Sequence, residues 1–312
     1  MRTLIRGARL LEAGRDYGPA DLYLRGERIE GLNLGGAADE TVNAEGLVLT
    51  PAFTDLHAHL REPGQEEKEG LETGLAAAAA GGFGTVVSMA NTSPSVDEPG
   101  LVAALVAKAE RLGFARLRPA AALSRGLAGV ALTDFAALQA AGAVMLSDDG
   151  LPLEDAHLMR RACEYAAELG LVIQTHSEDP ALRQHGVMNE GALSQRLGLP
   201  GNPDSAEAVM IFRDCEIARL TGARIHIAHV SSARGMAVVE WFKAQGASVT
   251  CEVTPQHLTL DETQMASFDP VYKVAPPLRS REDVRALRAA LRAGVVDCVG
   301  SDHAPHTRAE KE

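Results

Sequence analysis

Hydrophobic and polar positions follow two different patterns on either side of residue 50. Before it, short apolar segments are separated by Gly, Pro and Asn, which is typical of short β-strands joined by tight turns. After Pro51, short apolar runs alternate with longer amphipathic stretches, so the sequence predicts a repeated order of strand, loop and helix. We therefore expect a small β domain at 1–50 and a larger α/β domain at 51–312. The strands expected in the first region are Thr3–Ile5, Asp21–Leu24, Arg28–Glu30 and Leu47–Thr50.

The second region is predicted to contain eight strands with amphipathic helices between them. The predicted strands are Ala52–Leu56, Thr85–Met89, Arg118–Ala122, Ala143–Leu146, Val172–Thr175, Arg224–Ala228, Ser248–Val253 and Val296–Gly300. The clearest helices, each closely followed by a glycine, are Leu101–Leu112, Leu153–Leu169, Ser205–Leu220, Arg234–Gln245 and Arg281–Ala293. Eight β/α units favour a TIM (β/α)8 barrel over an open doubly wound sheet. The absence of a GxGxxG motif after the first strand also argues against a dinucleotide-binding fold.

Composition narrows the class of protein. The chain is 46% hydrophobic with a net charge of −12, which is ordinary for a globular protein and unfavourable for nucleic-acid binding. The N-terminus lacks the long apolar segment of a signal peptide, and the longest uncharged run, 73–96, contains four glycines and a proline. The four cysteines form no CxxC pair, so we expect buried free thiols. We therefore expect a cytoplasmic protein without a membrane segment.

Histidines and acidic residues follow the predicted barrel strands, where the catalytic groups of a TIM barrel lie. The first strand delivers His57 and His59, which share a face because residues two apart in an extended segment point the same way. Imidazole and carboxylate groups hold zinc in catalytic sites. Six residues could supply four imidazoles and two carboxylates, enough for two divalent ions. They are His57, His59, Asp149, His176, His229 and Asp302.

For the other polar residues near the strand ends, the sequence either favours a structural role or does not decide between two candidates. Asp148 competes with Asp149 for the role on the fourth strand, and alternation of side chains does not decide between them. His226 is opposite in parity to His229, so we expect it to point away from the barrel axis. The remaining histidines on predicted helices or loops are expected to be solvated or locally hydrogen-bonded. These are His157, His185 and His257.

Eight motifs run in order from Pro51 to His306. They are DLHAHLREPG (55–64), ANTSP (90–94), SDDG (147–150), THSED (175–179), IAHVSS (227–232), TPQHL (254–258), PPLRS (276–280) and SDHAPH (301–306). Through these motifs the chain resembles the dihydroorotases of the long bacterial type, in the amidohydrolase superfamily. The resemblance implies a TIM barrel with a small composite β-sandwich domain, which C-terminal residues complete in the family.

The resemblance also implies roles for individual residues. One zinc ion would lie on His57, His59 and Asp302, and a second on His176 and His229, with Asp149 bridging. Asp302 would be the catalytic acid–base group. Substrate would be bound by His59, Arg61, Asn91, His306 and position 275. The family usually has Asn at that last position, where this chain has Ala275, and it usually has a second His where this chain has Gln256.

The activity implied is the zinc-dependent, reversible cyclisation of N-carbamoyl-L-aspartate to L-dihydroorotate in pyrimidine (UMP) biosynthesis. One alternative is another cyclic amidohydrolase, a hydantoinase or allantoinase, which uses a carboxylated lysine on the fourth strand. This chain has no lysine between Lys108 and Lys243. A second alternative is a non-catalytic structural subunit of aspartate transcarbamoylase, whose relatives lose metal ligands. The family fold suggests a homodimer, and aspartate transcarbamoylase is a candidate partner.

Family members continue well beyond the eighth strand, whereas this sequence ends six residues after His306. A TIM barrel places a helix after that strand. We therefore expect an incomplete chain, with an unpaired edge in the N-terminal sheet and no covering helix after the eighth strand. Such a chain is expected to bind metal and to turn over substrate poorly.

Overall fold

The structure, a computed structural model, describes residues 1–311. Its first compact unit, Met1–Phe53, is an open sheet with the order β3-β2-β1-β4, in which β5 also pairs with β1. Strand β1 is antiparallel to β2 and parallel to β4 and β5. The strands are β1 (Arg2–Glu12), β2 (Arg15–Arg25), β3 (Arg28–Leu32), β4 (Glu40–Asn43) and β5 (Val48–Leu49).

Strands β1 and β2 are each eleven residues long, much longer than the expected Thr3–Ile5 and Asp21–Leu24. The reason is visible at Gly7, which has a φ of 74° and lies where the register between the two strands shifts. A glycine with positive φ accommodates a bulge, so the strand continues through a residue that the sequence pattern treats as a strand end.

The unit that begins at Thr54 contains the predicted barrel. Eight parallel strands form one sheet in the order β15-β14-β13-β10-β9-β8-β7-β6, and β11 and β12 form a separate pair. The ends of the eight barrel strands lie within two residues of their predicted positions. In chain order the strands are β6 (Phe53–Ala58), β7 (Phe83–Ser88), β8 (Arg116–Ala121), β9 (Met145–Leu146), β10 (Val172–Thr175), β11 (Met188–Asn189), β12 (Gly201–Asn202), β13 (Arg224–Ile227), β14 (Val249–Val253) and β15 (Cys298–Val299).

The barrel closes where the segment after β15 meets β6. The amide of Asp302 donates to the carbonyl of His57 at 3.0 Å, and the amide of His59 donates to the carbonyl of His303 at 2.8 Å. The Asp55 carboxylate accepts from the Ser301 amide at 3.0 Å and from the Ser301 hydroxyl. The first and last barrel units are therefore held together by both backbone and side-chain hydrogen bonds.

All five predicted helices are present, with their ends shifted by no more than three residues. The largest shift is at Ala156, because the Asp155 side chain caps that helix by accepting from the amides of His157 and Leu158. The helices are α1 (Leu71–Ala80), α2 (Pro99–Leu112), α3 (Phe135–Ala141), α4 (Ala156–Leu169), α5 (Pro180–Arg183), α6 (Ala192–Leu197), α7 (Asp204–Thr221), α8 (Ala233–Ala244), α9 (Pro255–Thr259), α10 (Arg281–Ala293) and α11 (Arg308–Lys311). Among the described residues, no helix combines the length and the apolar character needed to cross a membrane.

The main hydrophobic core lies between the barrel strands and the surrounding helices. Ile225 and Ile227 of β13 belong to it together with Ile211 of α7 and Phe242 of α8. Alternation along β13 then turns His226 toward the inside of the barrel, not away from it as expected. Within the described chain the four cysteines are free, three of them buried and Cys298 partly exposed.

Phe135 is a sensitive point of this core, since it is fully buried and stacks on Tyr165 with ring centroids 4.7 Å apart. We expect Phe135→Ala to lower the free energy of unfolding by about 3–5 kcal/mol, because it removes a buried ring and leaves a cavity. The matched control is Phe114→Ala at a ring that is 48% exposed, with an expected loss of about 1 kcal/mol or less. Urea denaturation measures both values, and equal losses would contradict the assigned burial.

Candidate metal centre

The six predicted ligands converge at the carboxyl ends of the barrel strands. His57 lies in β6 and His59 just after it, while the others follow β9, β10, β13 and β15. His57, His59, Asp149, His176 and His229 are at most 5% exposed, and the Asp302 side chain is 13% exposed. The chain thus places four imidazoles and two carboxylates in one buried cluster.

One half of the cluster is formed by His57 and His59 with the two aspartates. The His57 Nε2 atom lies 3.5 Å from Asp149 Oδ1 and 3.6 Å from Asp302 Oδ1. The His59 Nε2 atom lies 3.4 Å from Asp149 Oδ2 and 3.3 Å from Asp302 Oδ1. Both imidazoles therefore direct their Nε2 atom toward the carboxylates of Asp149 and Asp302.

The other half is formed by His176 and His229. His229 Nε2 lies 3.5 Å from Asp149 Oδ1, and His176 Nδ1 lies 3.8 Å from the same oxygen. The two imidazole nitrogens are 3.0 Å apart. Asp149 thus contacts all four imidazoles, and its two oxygens lie between the two halves.

The arrangement fits divalent metal ions. His57 Nε2 and Asp149 Oδ1 are buried atoms that lack a hydrogen-bond partner within residues 1–311. Donor atoms about 2.0–2.2 Å from a tetrahedral ion are about 3.3–3.6 Å apart, and most of the separations above fall in this range. Two groups able to hold an ion are His57, His59 and Asp149, and Asp149, His176 and His229.

An unusual backbone conformation orients the side chains of two of the predicted ligands, His229 and Asp302. His229 has a φ of 35° and Asp302 a φ of 48°, in the left-handed region that non-glycine residues rarely adopt. The turn at His229 follows the end of β13 and resets the alternation of the strand. Both His226 and His229 therefore face inward, which corrects the expectation for His226.

Buried opposite charges shift the pKa values in the cluster. Burial alone would lower the pKa of His57, but the Asp149 and Glu252 carboxylates raise it well above its ordinary value. Burial would likewise raise the pKa of Asp149, yet the neighbouring imidazoles, His57 foremost, hold it well below the usual range. In the absence of an ion the His57 imidazole therefore retains its proton, and a metal ion would compete with that proton for the ring nitrogen.

Three ligand histidines are oriented by a second hydrogen bond on the opposite ring nitrogen. His57 Nδ1 lies 2.6 Å from Glu252 Oε1, and His176 Nε2 lies 2.9 Å from Glu178 Oε2. His59 Nδ1 lies 2.8 Å from the side-chain oxygen of Asn91. Sequence reasoning missed Glu252 and Glu178. A signal existed for both, since Glu178 follows His176 by two residues and Glu252 is a charge within an apolar strand.

A cavity of about 700 Å³ opens onto the cluster and is lined by the predicted substrate residues Arg61, Asn91, Ala275 and His306 as well as His59. Arg61 donates from Nε to the Pro305 carbonyl at 3.0 Å, and its Nη2 lies 3.2 Å from His306 Nε2. Burial, followed by the Arg61 charge, lowers the pKa of His306. Arg61 therefore forms a cationic edge of the cavity, and the His306 imidazole beside it is neutral at neutral pH and accepts a hydrogen bond from the guanidinium.

The structure also resolves the side chains that the sequence left open. Asp148 accepts from the amides of Leu123 and Ser124 at 2.7 and 2.9 Å, away from the cluster. His257 is buried, its Nε2 lies 3.0 Å from the Pro276 carbonyl oxygen, and burial lowers its pKa to about 4. His157 is exposed, and His185 is exposed at the cavity wall.

A closed eight-stranded barrel with this cluster at its carboxyl end defines the class of protein: a metal-dependent hydrolase of the amidohydrolase fold. L-hydantoinase (dihydropyrimidinase) from Arthrobacter aurescens superposes with a TM-score of 0.83 at 21% identity, covering 99% of this chain and 70% of that one. A D-hydantoinase (dihydropyrimidinase) from Thermus sp. superposes with a TM-score of 0.78 at 25% identity, covering 97% of this chain and 69% of that one.

Sequence comparison identifies the family. Residues 46–235 match the family model described as dihydro-orotase-like. The dihydroorotase of Deinococcus radiodurans is 56% identical over 284 residues, which are 91% of this chain and 68% of that protein. The dihydroorotase of Thermus aquaticus is 50% identical over 315 aligned positions, covering 99% of this chain and 74% of that protein. The chain belongs to the dihydroorotase-like family, which implies a metal cofactor.

We expect Zn²⁺ to stabilise the protein, because the ion binds a preformed cluster absent from the unfolded chain. At a free ion concentration 100 times the dissociation constant, the gain is about 2.7 kcal/mol. Thermal unfolding with Zn²⁺ or with EDTA measures it, and His59→Gln should remove the part of the difference that comes from the ion on His57 and His59.

The control is His157→Gln, at an exposed histidine on α4, which should keep the full stabilisation. An equal response of the two variants to Zn²⁺ would show that the ion binds elsewhere.

Proposed function

We propose that this protein is a dihydroorotase, which interconverts N-carbamoyl-L-aspartate and L-dihydroorotate in pyrimidine biosynthesis. The observation that carries the proposal is one cavity in which a two-part His/Asp cluster faces a cationic edge formed by Arg61, with His306 beside it. The cluster suits hydrolysis of a cyclic amide, and the cationic edge suits a substrate that carries a carboxylate. Dihydroorotate has both features.

We propose zinc as the metal, with one or two ions per chain. His57, His59 and Asp302 would hold one ion, His176 and His229 the other, with Asp149 between them. When bound, zinc would lower the pKa of a coordinated water to about 7 and would polarise the amide carbonyl. Imidazole and carboxylate ligands match the preference of this ion.

Asp302 is the proposed proton carrier. Burial would raise the pKa of its carboxyl, but the hydrogen bond from His59 and the charges of His57 and His229 keep it below its ordinary value. Asp302 is thus ionised at neutral pH and can accept a proton. In the hydrolytic direction a carboxylate oxygen takes the proton from the attacking water and delivers it to the leaving ring nitrogen. In the cyclisation direction the carbamoyl nitrogen bonds to the side-chain carboxyl carbon, and Asp302 takes a proton from that nitrogen and delivers it to the oxygen that leaves the carboxyl group.

Arg61, Asn91 and His306 are the proposed substrate clamp. The Arg61 guanidinium is fixed by its bond to Pro305, so it reaches the carboxylate with little loss of rotational freedom. The Asn91 oxygen is engaged by His59, which leaves its amide nitrogen as the donor. Lys273 and Lys311 also line the cavity, so this net-negative chain presents cations where an anionic substrate enters.

Two alternative functions compete with the dihydroorotase proposal. In a hydantoinase or allantoinase the two ions would share a carboxylated lysine, but the position between the halves is held here by Asp149. A non-catalytic subunit of aspartate transcarbamoylase would not need all six ligand positions. A homodimer and a transcarbamoylase partner remain predictions of the family resemblance.

The decisive experiment is turnover by zinc-loaded protein of dihydroorotate, hydantoin and allantoin, with N-carbamoyl-L-aspartate in the reverse direction. We expect measurable turnover of dihydroorotate and of its open form, and none of the other two rings. Preferential turnover of hydantoin or allantoin would contradict the proposal. Metal binding with no turnover of any ring would favour the non-catalytic subunit.

Asp302→Asn tests the proton carrier. We expect kcat to fall by about 100-fold or more, the usual range for a positioned acid–base group. Because Asp302 is also a proposed ligand, metal content is measured on the same samples. The control is Asp148→Asn, whose carboxylate lies next in sequence to Asp149 but outside the cluster. Near-normal kcat with normal metal content in Asp302→Asn would remove Asp302 from the reaction.

Arg61→Lys tests the clamp. We expect KM for dihydroorotate to rise about tenfold or more, since an ammonium group cannot make two parallel hydrogen bonds to a carboxylate. Steady-state kinetics measures the change, and Arg160→Lys on the exposed face of α4 is the matched control. If KM and kcat are unchanged in Arg61→Lys, the carboxylate binds elsewhere.

A further inference from the structure

Two buried carboxylates outside the predicted ligand set, Glu252 and Glu178, each contact the imidazole of one predicted ligand, Glu252 that of His57 and Glu178 that of His176. Glu252 Oε1 also accepts from the backbone amide of His229 at 3.3 Å, so its contact with the second half is through the main chain. We propose that they are positioning residues with separate duties: Glu252 orients His57 for the first ion, and Glu178 orients His176 for the second. The proposal rests on the proposed metal-dependent function.

Glu252 belongs to β14 and is fully buried. Its Oε1 atom lies 2.6 Å from His57 Nδ1 and accepts the proton of that nitrogen. This bond leaves His57 Nε2, the nitrogen without a partner among the described residues, directed at Asp149 and Asp302. A carboxylate on the far side of a ligand imidazole fixes both its tautomer and its ring orientation.

Glu252 is itself held from the other side. Its Oε2 atom lies 3.3 Å from His226 Nε2, whose second nitrogen lies 2.8 Å from the Thr250 hydroxyl. This contact also gives the inward-facing His226 a function. It keeps the second oxygen of Glu252 from being an unpaired buried acceptor.

The backbone after β15 leaves room for this carboxylate. A Cβ atom at Gly300 would lie 2.5 Å from Glu252 Oε2 and 2.8 Å from its carboxyl carbon. Gly300 does not have the positive φ that by itself requires glycine. The residue is therefore glycine because Glu252 occupies the space, and Gly300→Ala would displace the carboxylate without removing its charge.

Glu178 has the corresponding place in the other half. Its Oε2 atom lies 2.9 Å from His176 Nε2, so His176 turns Nδ1 toward Asp149 and His229. Asn202 donates to Oε1 at 2.5 Å, and Arg183 Nε lies 3.6 Å from Oε2. No hydrogen bond or ion pair joins Glu178 to His57 or His59 in the part of the chain that the structure describes.

Because each carboxylate contacts the imidazole of a different half, the two substitutions should have their main effects on different metal-binding steps. Loss of such a partner weakens metal affinity about 10- to 100-fold. Glu252→Gln should therefore weaken one of two Zn²⁺-binding steps by that factor, and Glu178→Gln the other. Gly300→Ala should reproduce the effect of Glu252→Gln.

The matched control is Glu207→Gln. Glu207 is also buried, and it accepts from the amides of Ser231 and Ser232 at 2.7 and 2.9 Å without contacting a ligand histidine. It should change thermal stability and leave both Zn²⁺ affinities within about twofold of the wild type, well below the effect of losing a ligand's partner.

The experiment is competition of the metal-free variants with a chromophoric chelator for Zn²⁺, together with Co²⁺ absorption spectra that report each occupied site. Weakening of one step by Glu252→Gln and of the other by Glu178→Gln supports the proposal. Unchanged affinities, or equal weakening of both steps by each variant, would overturn it. If Glu252→Gln does not fold, Gly300→Ala and Glu178→Gln decide the same question.

Wild-type turnover separates this proposal from the proposed activity. A wild-type protein that binds two ions but leaves dihydroorotate unchanged refutes the activity and not the positioning role. A wild-type protein with normal turnover whose variants bind Zn²⁺ like the wild type refutes the positioning role alone.

Discussion

The site depends on closure of the barrel between its first and last strands. The Asp302 amide donates to the carbonyl of His57, and the His59 amide donates to the carbonyl of His303. These backbone bonds set Asp302 beside His57 and His59, although about 245 residues separate them in sequence. A closed parallel barrel has no free edge. The side chains at its strand ends, including His57, His59 and Asp302, are therefore held in place by the hydrogen-bonded sheet.

Closure of the barrel buries imidazole and carboxylate groups together, and burial of such groups is unfavourable unless each has a hydrogen-bond partner or an opposite charge beside it. Four imidazoles surround Asp149, and each of the histidines His57, His59 and His176 has a polar partner on its far side. The pKa of His57 rises and that of Asp149 falls for the same reason: each stabilises the charged form of the other. The centre is therefore preorganised for positive charge, whether carried by protons or by metal ions.

Most of the fold, and the convergence of the six candidate metal ligands, could be predicted from the sequence, because both follow from strong local patterns. The strand ends delivered His57, His59, Asp149, His176, His229 and Asp302 in order, and the structure brings them together. Local alternation failed at His226, since the backbone turn at His229 is a tertiary feature. Local alternation also assigned no role to Glu252 or Glu178. The partner of Glu252, His57, lies on another strand, and Glu178 meets His176 through the folded segment after β10.

Charge balance links these carboxylates to the number of ions. Asp149, Asp302, Glu178 and Glu252 together carry four negative charges in and around the cluster, which two divalent ions with neutral imidazoles would offset. A single ion would leave two of these charges to be offset by protons on the imidazoles, as the raised pKa of His57 allows. Arg61 at the cavity, and Arg183 at 3.6 Å from Glu178, then remain as excess positive charge. The proposed substrate, dihydroorotate, carries one carboxylate, and the Arg61 guanidinium would offset its charge at the edge of the cavity.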